Sequence, residues 1–213
     1  MASLDPNSLR VYVVTSAGLV PGRGHRDVAL AAIEGGATAI QLRAGEMADA
    51  ELATLADDLR GRCRDAGVLF VVNDRVEIAR AVGAGAHVGQ ADDPDAARAA
   101  VGDELPLGIS VSSVAEALAA EAAGADYLGI TVWSTPTKPE AAPQGLHGLV
   151  AVVEATGLPV VAIGGIDETN ARAVLEAGAS GVAVVSAVGA AADPVAATRE
   201  LVAATANARM GER

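Results

Sequence analysis

The sequence predicts a (β/α)₈ TIM barrel, an α/β fold in which eight parallel strands are ringed by helices. Short β-branched runs alternate eight times with Ala- and Glu-rich amphipathic segments along the 213 residues, and this alternation is typical of parallel strands joined by right-handed crossovers. The runs are continuously apolar, which indicates strands buried on both faces. Eight units in so short a chain favour a closed barrel over an open doubly wound sheet, because a barrel can be built from ~200 residues. We therefore predict that residues 1–213 form one barrel domain.

The eight predicted strands are short runs dominated by Val, Ile, Leu and Ala. Pro159 directly precedes the seventh run, and proline is tolerated at the start of a strand. In chain order the strands span residues 11–15, 39–43, 69–73, 86–89, 107–110, 127–131, 160–163 and 181–185.

The amphipathic segments between the strands predict helices, among them residues 49–66, 93–101, 114–123 and 168–177. Several of these segments end at Ala-Gly-Ala just before the next strand, as at Gly124 and Gly178. Glycine is the usual residue in the left-handed conformation that ends a helix, so these glycines mark the helix ends.

Composition limits both the core and the partners. The sequence is 51% hydrophobic but only 2% aromatic, so the core must be built from aliphatic side chains, as barrel interiors usually are. The formal net charge of −12 argues against nucleic acid and anionic membranes as partners, because both attract basic surfaces. Cys63 is the only cysteine, which excludes an intrachain disulfide, and we expect it to be buried and unreactive.

Targeting signals are not evident in the sequence. The first residues lack a basic segment followed by an apolar one, so no signal peptide is predicted. No apolar run approaches the ~20 residues that span a bilayer. We therefore expect a cytoplasmic protein, and the sequence leaves open whether it forms a homo-oligomer.

Two aspartates follow adjacent predicted strands. Asp74 comes after the third strand and Asp92 after the fourth, so both should lie at the carboxyl-end rim, where barrels of this class place their active sites. A hard cation such as Mg²⁺ would relieve the repulsion between them. Helix capping explains the pair equally well. For Asp93, which precedes Pro94, capping is the better explanation.

Candidate phosphate ligands follow the sixth, seventh and eighth strands. Lys138 is the only lysine in the chain and follows Thr135 and Thr137; hydroxyl groups and a compact ammonium suit phosphate oxygens, although a solvated loop lysine is the alternative. Gly165 and Ser186 lie in the last two loops, which often form the phosphate site of a barrel. Glycine there allows backbone N–H groups to approach a phosphate.

Arginine, serine and histidine residues complete the set of candidates. Arg43, at the end of the second strand, offers a fork to phosphate or carboxylate, with a salt bridge as the alternative. Ser110 could hydrogen-bond a ligand or cap a helix. We expect His25 and His147 near the surface at helix starts, and a structural hydrogen bond for His87. Because no Ser-His-Asp or Cys-His arrangement is evident, covalent catalysis is not expected.

Several short motifs follow one another in chain order from the second strand onward. Each is weak alone, but as a set they cover almost the whole chain. They are Gln41-Leu42-Arg43, Asn73-Asp74-Arg75, His87-Val88-Gly89-Gln90-x-Asp92, Gly108-x-Ser110, Ala125-Asp126-Tyr127, Thr135-Pro136-Thr137-Lys138, Ile163-Gly164-Gly165-Ile166 and Val184-Val185-Ser186-Ala187. With this set the chain resembles the thiamine-phosphate synthase family.

The resemblance implies a reaction. Members of the family join a hydroxymethylpyrimidine diphosphate to a hydroxyethylthiazole phosphate, giving thiamine phosphate and pyrophosphate. The family mechanism is dissociative: pyrophosphate leaves, and the thiazole nitrogen attacks a pyrimidine-methyl cation. Such chemistry depends on charge neutralisation and positioning more than on a base, which agrees with the residues described above. The expected partners are therefore small phosphorylated substrates and Mg²⁺.

The resemblance also implies residue roles. Asp74 and Asp92 would hold Mg²⁺, and Ser110 would contact the pyrimidine or its leaving group. The residues expected to take part in the chemical step are Ser110, Lys138 and Arg43. Those expected to bind the pyrimidine diphosphate are Gln41, Arg43, Asn73 and Lys138. Those expected to hold the thiazole phosphate are Thr135, Thr137, Gly165, Val185 and Ser186.

The sequence departs from the family pattern at two places. The family usually has a lysine shortly after Gln-x-Arg, where this chain has Gly45. A charged hydrogen bond contributes ~1.5–3 kcal/mol, so its loss should weaken diphosphate handling by roughly ten- to a hundredfold, unless Arg23 or Arg26 compensates. After the sixth strand the usual Gly-Pro is absent and the loop, which begins at Trp133, is one residue shorter.

Three other functions fit parts of the pattern. A thiazole tautomerase, a related barrel, would need a rim histidine near the fifth or sixth strand, where this chain has Ser112 and Thr131. A barrel that binds thiamine precursors without turnover would tolerate Gly45. An unrelated phosphate-binding barrel explains the glycine pair after the seventh strand, but it does not explain Asp74 and Asp92 together with Lys138.

Overall fold

Eight parallel strands close into a barrel in the computed structural model, which describes residues 4–134 and 142–206. Strand β1 pairs with β8 as well as with β2, so the sheet has no open edge. The predicted barrel is confirmed, and the open doubly wound sheet is excluded. The strands are β1 (Val11–Val14), β2 (Ala39–Leu42), β3 (Leu69–Asn73), β4 (Gly85–Val88), β5 (Leu107–Val111), β6 (Tyr127–Thr131), β7 (Val160–Ile163) and β8 (Gly181–Val184).

Helices follow the strands in sequence, and a 3₁₀ helix at Pro6–Leu9 precedes β1. They are α1 (His25–Gly35), α2 (Asp49–Ala66), α3 (Val76–Val82), α4 (Pro94–Val101), α5 (Val114–Ala122), α6 (Gly145–Ala155), α7 (Ala171–Glu176), α8 (Ser186–Gly189) and α9 (Pro194–Ala206). None of the helices in the described ranges is long and apolar enough to cross a bilayer.

The predicted helix 168–177 was wrong at its start. Residues before Ala171 form a turn held by side chains: Thr169 Oγ1 donates to Asp167 Oδ1 at 2.6 Å, and Asn170 Oδ1 accepts from Asp167 N at 3.1 Å. Asn170 Nδ2 donates to the carbonyl of Gly165 at 2.9 Å. Polar side chains of this kind compete with the helix for backbone groups, so helix α7 begins three residues later than its amphipathic pattern suggests.

The core is aliphatic, as the composition predicts. Along β1, Val11 and Val13 pack in the cluster between strands and helices, while Tyr12 and Val14 pack in a second cluster inside the barrel. This division follows from the alternation of side chains along a strand. Cys63 is fully buried on α2, and burial raises the pKa of its thiol to about 12, which fits the expected unreactive cysteine.

One motif residue serves the fold at the amino ends of the strands. Asp126 Oδ2 accepts from the N–H of Leu107 at 2.8 Å and from Arg98 Nη2 at 2.5 Å. The same guanidinium donates to the carbonyls of Gly124, Gly102 and Leu105. Arg98 and Asp126 therefore hold the turns before β5 and β6 at the end of the barrel opposite the rim where β3 and β4 place Asp74 and Asp92.

Candidate active site at the carboxyl ends of the strands

Two adjoining cavities open at the carboxyl ends of the strands. The larger has a volume of about 490 Å³ and the smaller about 260 Å³. Pockets of a few hundred cubic ångströms are the usual size for small-molecule ligands. The two share four lining residues, Arg43, Thr131, Ile163 and Ala183. The rim can therefore hold two ligands in contact with each other.

The structure brings most of the predicted site residues into these cavities. Those that line the larger cavity are Gln41, Arg43, Asn73, Asp74, Asp92 and Ser110. Those that line the smaller one are Arg43, Gly165, Val185 and Ser186. The remaining three, Thr135, Thr137 and Lys138, lie outside the described residues. The described residues on either side of these three are Ser134 and Ala142, and Ala142 lines the larger cavity.

The two aspartates are exposed at the mouth of the larger cavity. Asp74 has a left-handed backbone with φ of 61°, and its N–H donates to the carbonyl of His87 at 2.9 Å. Asp92 Oδ2 accepts from the N–H of Gly89 at 2.8 Å. The N-cap residue of α3 is Arg75, and Asp93 caps α4 through bonds to the N–H groups of Asp95 and Ala96.

This donor set fits Mg²⁺. In the part of the chain that the structure describes, no three His, Cys, Asp or Glu side chains gather as a metal site. Mg²⁺ is commonly held by one or two carboxylates together with water and substrate phosphates. Asp74 and Asp92 supply two carboxylates beside a cavity large enough for a phosphorylated ligand.

Among the described residues, Arg43 is the cationic side chain that lines the cavities, and it lines both. Arg75, just after Asp74, donates through Nη2 to the carbonyl of Gly45 at 3.1 Å and through Nε to Asp49 at 3.1 Å. A Cβ atom at Gly45 would meet nothing within 4 Å.

The proposed compensation by Arg23 or Arg26 is not supported. Arg23 Nη1 donates to the carbonyls of Gly189 and Ala191, at 3.0 and 2.6 Å, and so fastens the loop before α1 to the end of α8. Arg26 pairs with Asp58 on α2, with Nε 2.9 Å from Oδ2. Both guanidinium groups therefore serve contacts between elements.

Polar side chains from five strands are linked across the larger cavity. Gln41 Nε2 donates to Tyr12 Oη at 3.0 Å, and the hydroxyls of Tyr12 and Tyr127 are 2.9 Å apart. Tyr127 Oη lies 3.1 Å from His87 Nδ1, and His87 Nε2 lies 3.0 Å from Ser110 Oγ. Burial raises the pKa of both phenols, so they are neutral hydrogen-bonding groups. The structural hydrogen bond expected for His87 is confirmed.

The hydroxyl of Thr15 contacts the backbone of Arg43 at the end of β2. Thr15 is fully buried, and its Oγ1 accepts from the N–H of Arg43 at 3.2 Å and lies 3.0 Å from His25 Nδ1. Burial lowers the pKa of His25, which favours the neutral form of this ring. His25 is half-buried rather than on the surface, whereas His147 is exposed on α6.

Sequence reasoning missed Tyr12, Tyr127 and Thr15 as site residues. The signal for the tyrosines was present, because they are the only two in the chain and both lie within strands predicted from apolar runs. A phenol in such a position needs a hydrogen-bond partner. Its partners come from other strands, however, and only the register of the sheet identifies them.

The glycine pair after β7 shapes the smaller cavity. Gly164 and Gly165 have φ of 101° and 63°, which L side chains rarely adopt. A Cβ atom at Gly164 would lie 2.4 Å from the carbonyl oxygen of Trp133, and one at Gly165 would lie 3.2 Å from that of Ser134. Trp133 and Ser134, the first residues after β6 and Val132, therefore pack directly on the loop after β7, and the side chain of Trp133 packs against the core.

Comparison with known proteins agrees with the resemblance. Residues 11–188 match the family model described as thiamine monophosphate synthase. A thiamine-phosphate synthase from Chloroflexus aurantiacus is 52% identical over 196 residues, which are 90% of this chain and 90% of that protein. One from Moorella thermoacetica is 48% identical over 195 residues, covering 90% of this chain and 93% of that protein.

A solved structure extends the agreement to three dimensions. The thiamine phosphate pyrophosphorylase from Pyrococcus furiosus has a TM-score of 0.86 and 41% identity, covering 95% of this chain and 98% of that one. The likeness thus extends over nearly the whole barrel. On sequence and architecture together, the chain belongs to the thiamine monophosphate synthase family.

Proposed function

We propose that the chain joins a hydroxymethylpyrimidine diphosphate to a hydroxyethylthiazole phosphate in the two adjoining cavities, releasing thiamine phosphate and pyrophosphate. The observation that carries this assignment is the shared wall formed by Arg43, Thr131, Ile163 and Ala183. A bond between two substrates requires that their reacting atoms be held side by side. Relatives at 45–52% identity named for this activity support the same conclusion.

The larger cavity takes the pyrimidine diphosphate in this proposal. Asp74 and Asp92 would hold Mg²⁺, which neutralises charge on the departing pyrophosphate. Arg43 offers a planar fork to the phosphate oxygens, and Asn73 supplies an amide donor beside it. Gln41 and Ser110 line the part of the cavity in which the pyrimidine ring would lie. Lys138, in the loop after β6, is predicted to be the last of the ligands of the pyrimidine diphosphate.

The smaller cavity takes the thiazole phosphate. Gly165, in the loop after β7, and Ser186, at the start of α8, both line it, with Val185 between Ser186 and strand β8. A glycine backbone brings N–H groups close to an anion, and the hydroxyl of Ser186 adds a donor. Thr135 and Thr137 are predicted to contribute hydroxyls from the loop after β6. The thiazole nitrogen would then face the pyrimidine across the shared wall.

The proposed reaction is dissociative, and the side chains favour this course. Departure of pyrophosphate depends on charge neutralisation and positioning. Among the described residues that line the cavities, His87 is the histidine present, and both of its ring nitrogens lie within hydrogen-bond distance of neighbouring hydroxyls. This arrangement disfavours the thiazole tautomerase, which needs a histidine for proton transfer near β5 or β6.

The proposed partners are small phosphorylated substrates. A net charge of −12 opposes binding to nucleic acid or to an anionic membrane. Cell fractionation tests the expected cytoplasmic location. Light scattering tests whether the protein forms a homo-oligomer.

A product assay with both substrates, with and without Mg²⁺, tests the proposal. We expect Mg²⁺-dependent formation of thiamine phosphate and pyrophosphate, and a loss of at least tenfold in kcat/KM for Asp92→Asn. The matched control is Asp93→Asn, because asparagine caps a helix as well as aspartate does. Folded protein that binds the substrates without turnover would instead indicate a precursor-binding barrel, and proton exchange on the thiazole phosphate without Mg²⁺ a tautomerase.

A further inference from the structure

The hydrogen bonds that cross the larger cavity run from Gln41 through Tyr12, Tyr127 and His87 to Ser110. Gln41 determines which atom is the donor and which the acceptor in each of them. The amide nitrogen of Gln41 can only donate, so Tyr12 Oη is an acceptor in the bond between them. The Tyr12 hydroxyl must then donate its own proton to Tyr127 Oη, 2.9 Å away. Both phenols are buried, with 2% and 1% exposure, and a buried hydroxyl left without an acceptor is costly.

The direction continues through the imidazole. With its oxygen accepting from Tyr12, Tyr127 donates to His87 Nδ1, which must therefore carry no proton. The neutral ring then holds its proton on Nε2, as the other bond fixes the tautomer of a histidine. Nε2–H donates to Ser110 Oγ at 3.0 Å. The hydroxyl proton of Ser110 is thus left for an acceptor in the cavity.

Glycines on β5 and β6 leave room for the rings of Tyr127 and His87. A Cβ atom at Gly108 would lie 2.1 Å from Cζ of Tyr127 and 2.5 Å from Nδ1 of His87. One at Gly129 would lie 3.1 Å from Cε1 of His87. A larger residue at Gly108 would displace both rings, and one at Gly129 would press on His87, so the packing selects the geometry on which the hydrogen bonds depend.

We infer that Gln41, Tyr12, Tyr127 and His87 form a one-way relay that orients Ser110 as a hydrogen-bond donor, and that His87 is a positioning residue for it. The inference deepens the proposed function, on which it rests for the acceptor: an anionic oxygen of the departing pyrophosphate. No proton is transferred along the relay. Its effect is to hold the serine proton toward the cavity before the substrate arrives, which removes a reorganisation step from the reaction.

The tautomer of His87 is measurable without substrate. In uniformly ¹⁵N-labelled protein at pH ~8.5, well above the ordinary imidazole pKa, we expect the Nδ1 resonance of His87 at the position of an unprotonated nitrogen and Nε2 at that of a protonated one. The chain has three histidines, and loss of one signal set in His87→Gln assigns it. A proton on Nδ1 would overturn the inference, because the relay would then run in the opposite direction.

Kinetics test whether the relay matters. The amide nitrogen of glutamine can take the place of Nε2, whereas that of asparagine reaches only the place of Nδ1. We therefore expect His87→Asn to lower kcat about tenfold or more with little change in KM, and His87→Gln to retain most of the activity. His147→Gln, on the exposed side of α6, is the control for loss of a histidine.

A double-variant cycle completes the test. If His87 acts through Ser110, His87→Asn should cost nothing further in Ser110→Ala, whereas independent effects would multiply. Multiplying effects, or equal losses in the Asn and Gln variants with unchanged thermal melts, would refute the positioning role. An inactive wild-type protein would contradict the proposed function alone, since the tautomer is read in the absence of turnover.

Discussion

Replacing Gly45 with lysine should improve the handling of the diphosphate substrate. The position lies between β2 and α2, on the loop that follows Arg43. A Cβ atom there would meet nothing within 4 Å, and the bond from Arg75 to residue 45 uses the backbone carbonyl, which a lysine retains. The substitution therefore adds a mobile cation two residues beyond Arg43, which lines both cavities, without displacing a neighbour.

The expected gain is the difference between two terms. A hydrogen bond to a charged group contributes ~1.5–3 kcal/mol. The new ammonium would lie near the guanidinium of Arg75, and two like charges ~4 Å apart in water repel by ~1 kcal/mol. The net ~0.5–2 kcal/mol corresponds to a roughly two- to thirtyfold lower KM for the pyrimidine diphosphate.

The assay is pyrophosphate release at saturating thiazole phosphate and Mg²⁺, with the pyrimidine diphosphate varied at low and at high salt. Gly61→Lys is the control, because Gly61 lies within α2, away from both cavities, and also has open space at its Cβ position. Its kinetics should match the wild type. An unchanged KM in Gly45→Lys, or an equal fall in both variants, would refute the reasoning, since the first shows no contact and the second a general effect of charge.

Three further changes have defined outcomes. Gly164→Ala should destabilise the protein by about 2 kcal/mol or more, seen in urea unfolding, because its Cβ would clash with the carbonyl of Trp133 at a φ of 101°. Asp126→Ala should cost ~1.5–3 kcal/mol by depriving Arg98 of its partner, with kcat unchanged; a fall in kcat at full stability would contradict this. Burial lowers the pKa of His25 in the folded protein, so as the pH falls the ring binds a proton in the unfolded chain before it does so in the folded protein. The contribution of His25 to the free energy of unfolding should therefore be fully present above pH ~6.5 and be lost below it. In His25→Gln that decline should be smaller, and an identical pH profile would disprove the assignment.

The barrel was predictable because its signals are local. Strands such as Leu69–Asn73 and Tyr127–Thr131 are continuous apolar runs, and the structure bounds them as the sequence does. The residues just past the strands could be grouped for the same reason, since parallel strands place their carboxyl ends together. Spacing alone predicted Asp74 and Asp92 at one rim, and both line the larger cavity.

The misjudged site contacts are those whose partners are distant in sequence. Arg23 was considered for the substrate, but it bonds the end of α8, whose residues follow it by more than 160 positions. Tyr12 and Tyr127 meet across the barrel, on strands 115 residues apart. Charge and polarity show that such groups need partners. Which partner each obtains depends on strand register and loop packing, which no local pattern encodes.

The wall common to the two cavities bears on product fidelity. In the proposed reaction the thiazole nitrogen must attack the short-lived pyrimidine-methyl cation before water does. Attack by water would convert the pyrimidine diphosphate to an alcohol and yield no thiamine phosphate. Two of the four residues at the junction, Ile163 and Ala183, are apolar and offer water no hydrogen bond. The ratio of thiamine phosphate to the alcohol therefore measures how well water is excluded from this junction during turnover.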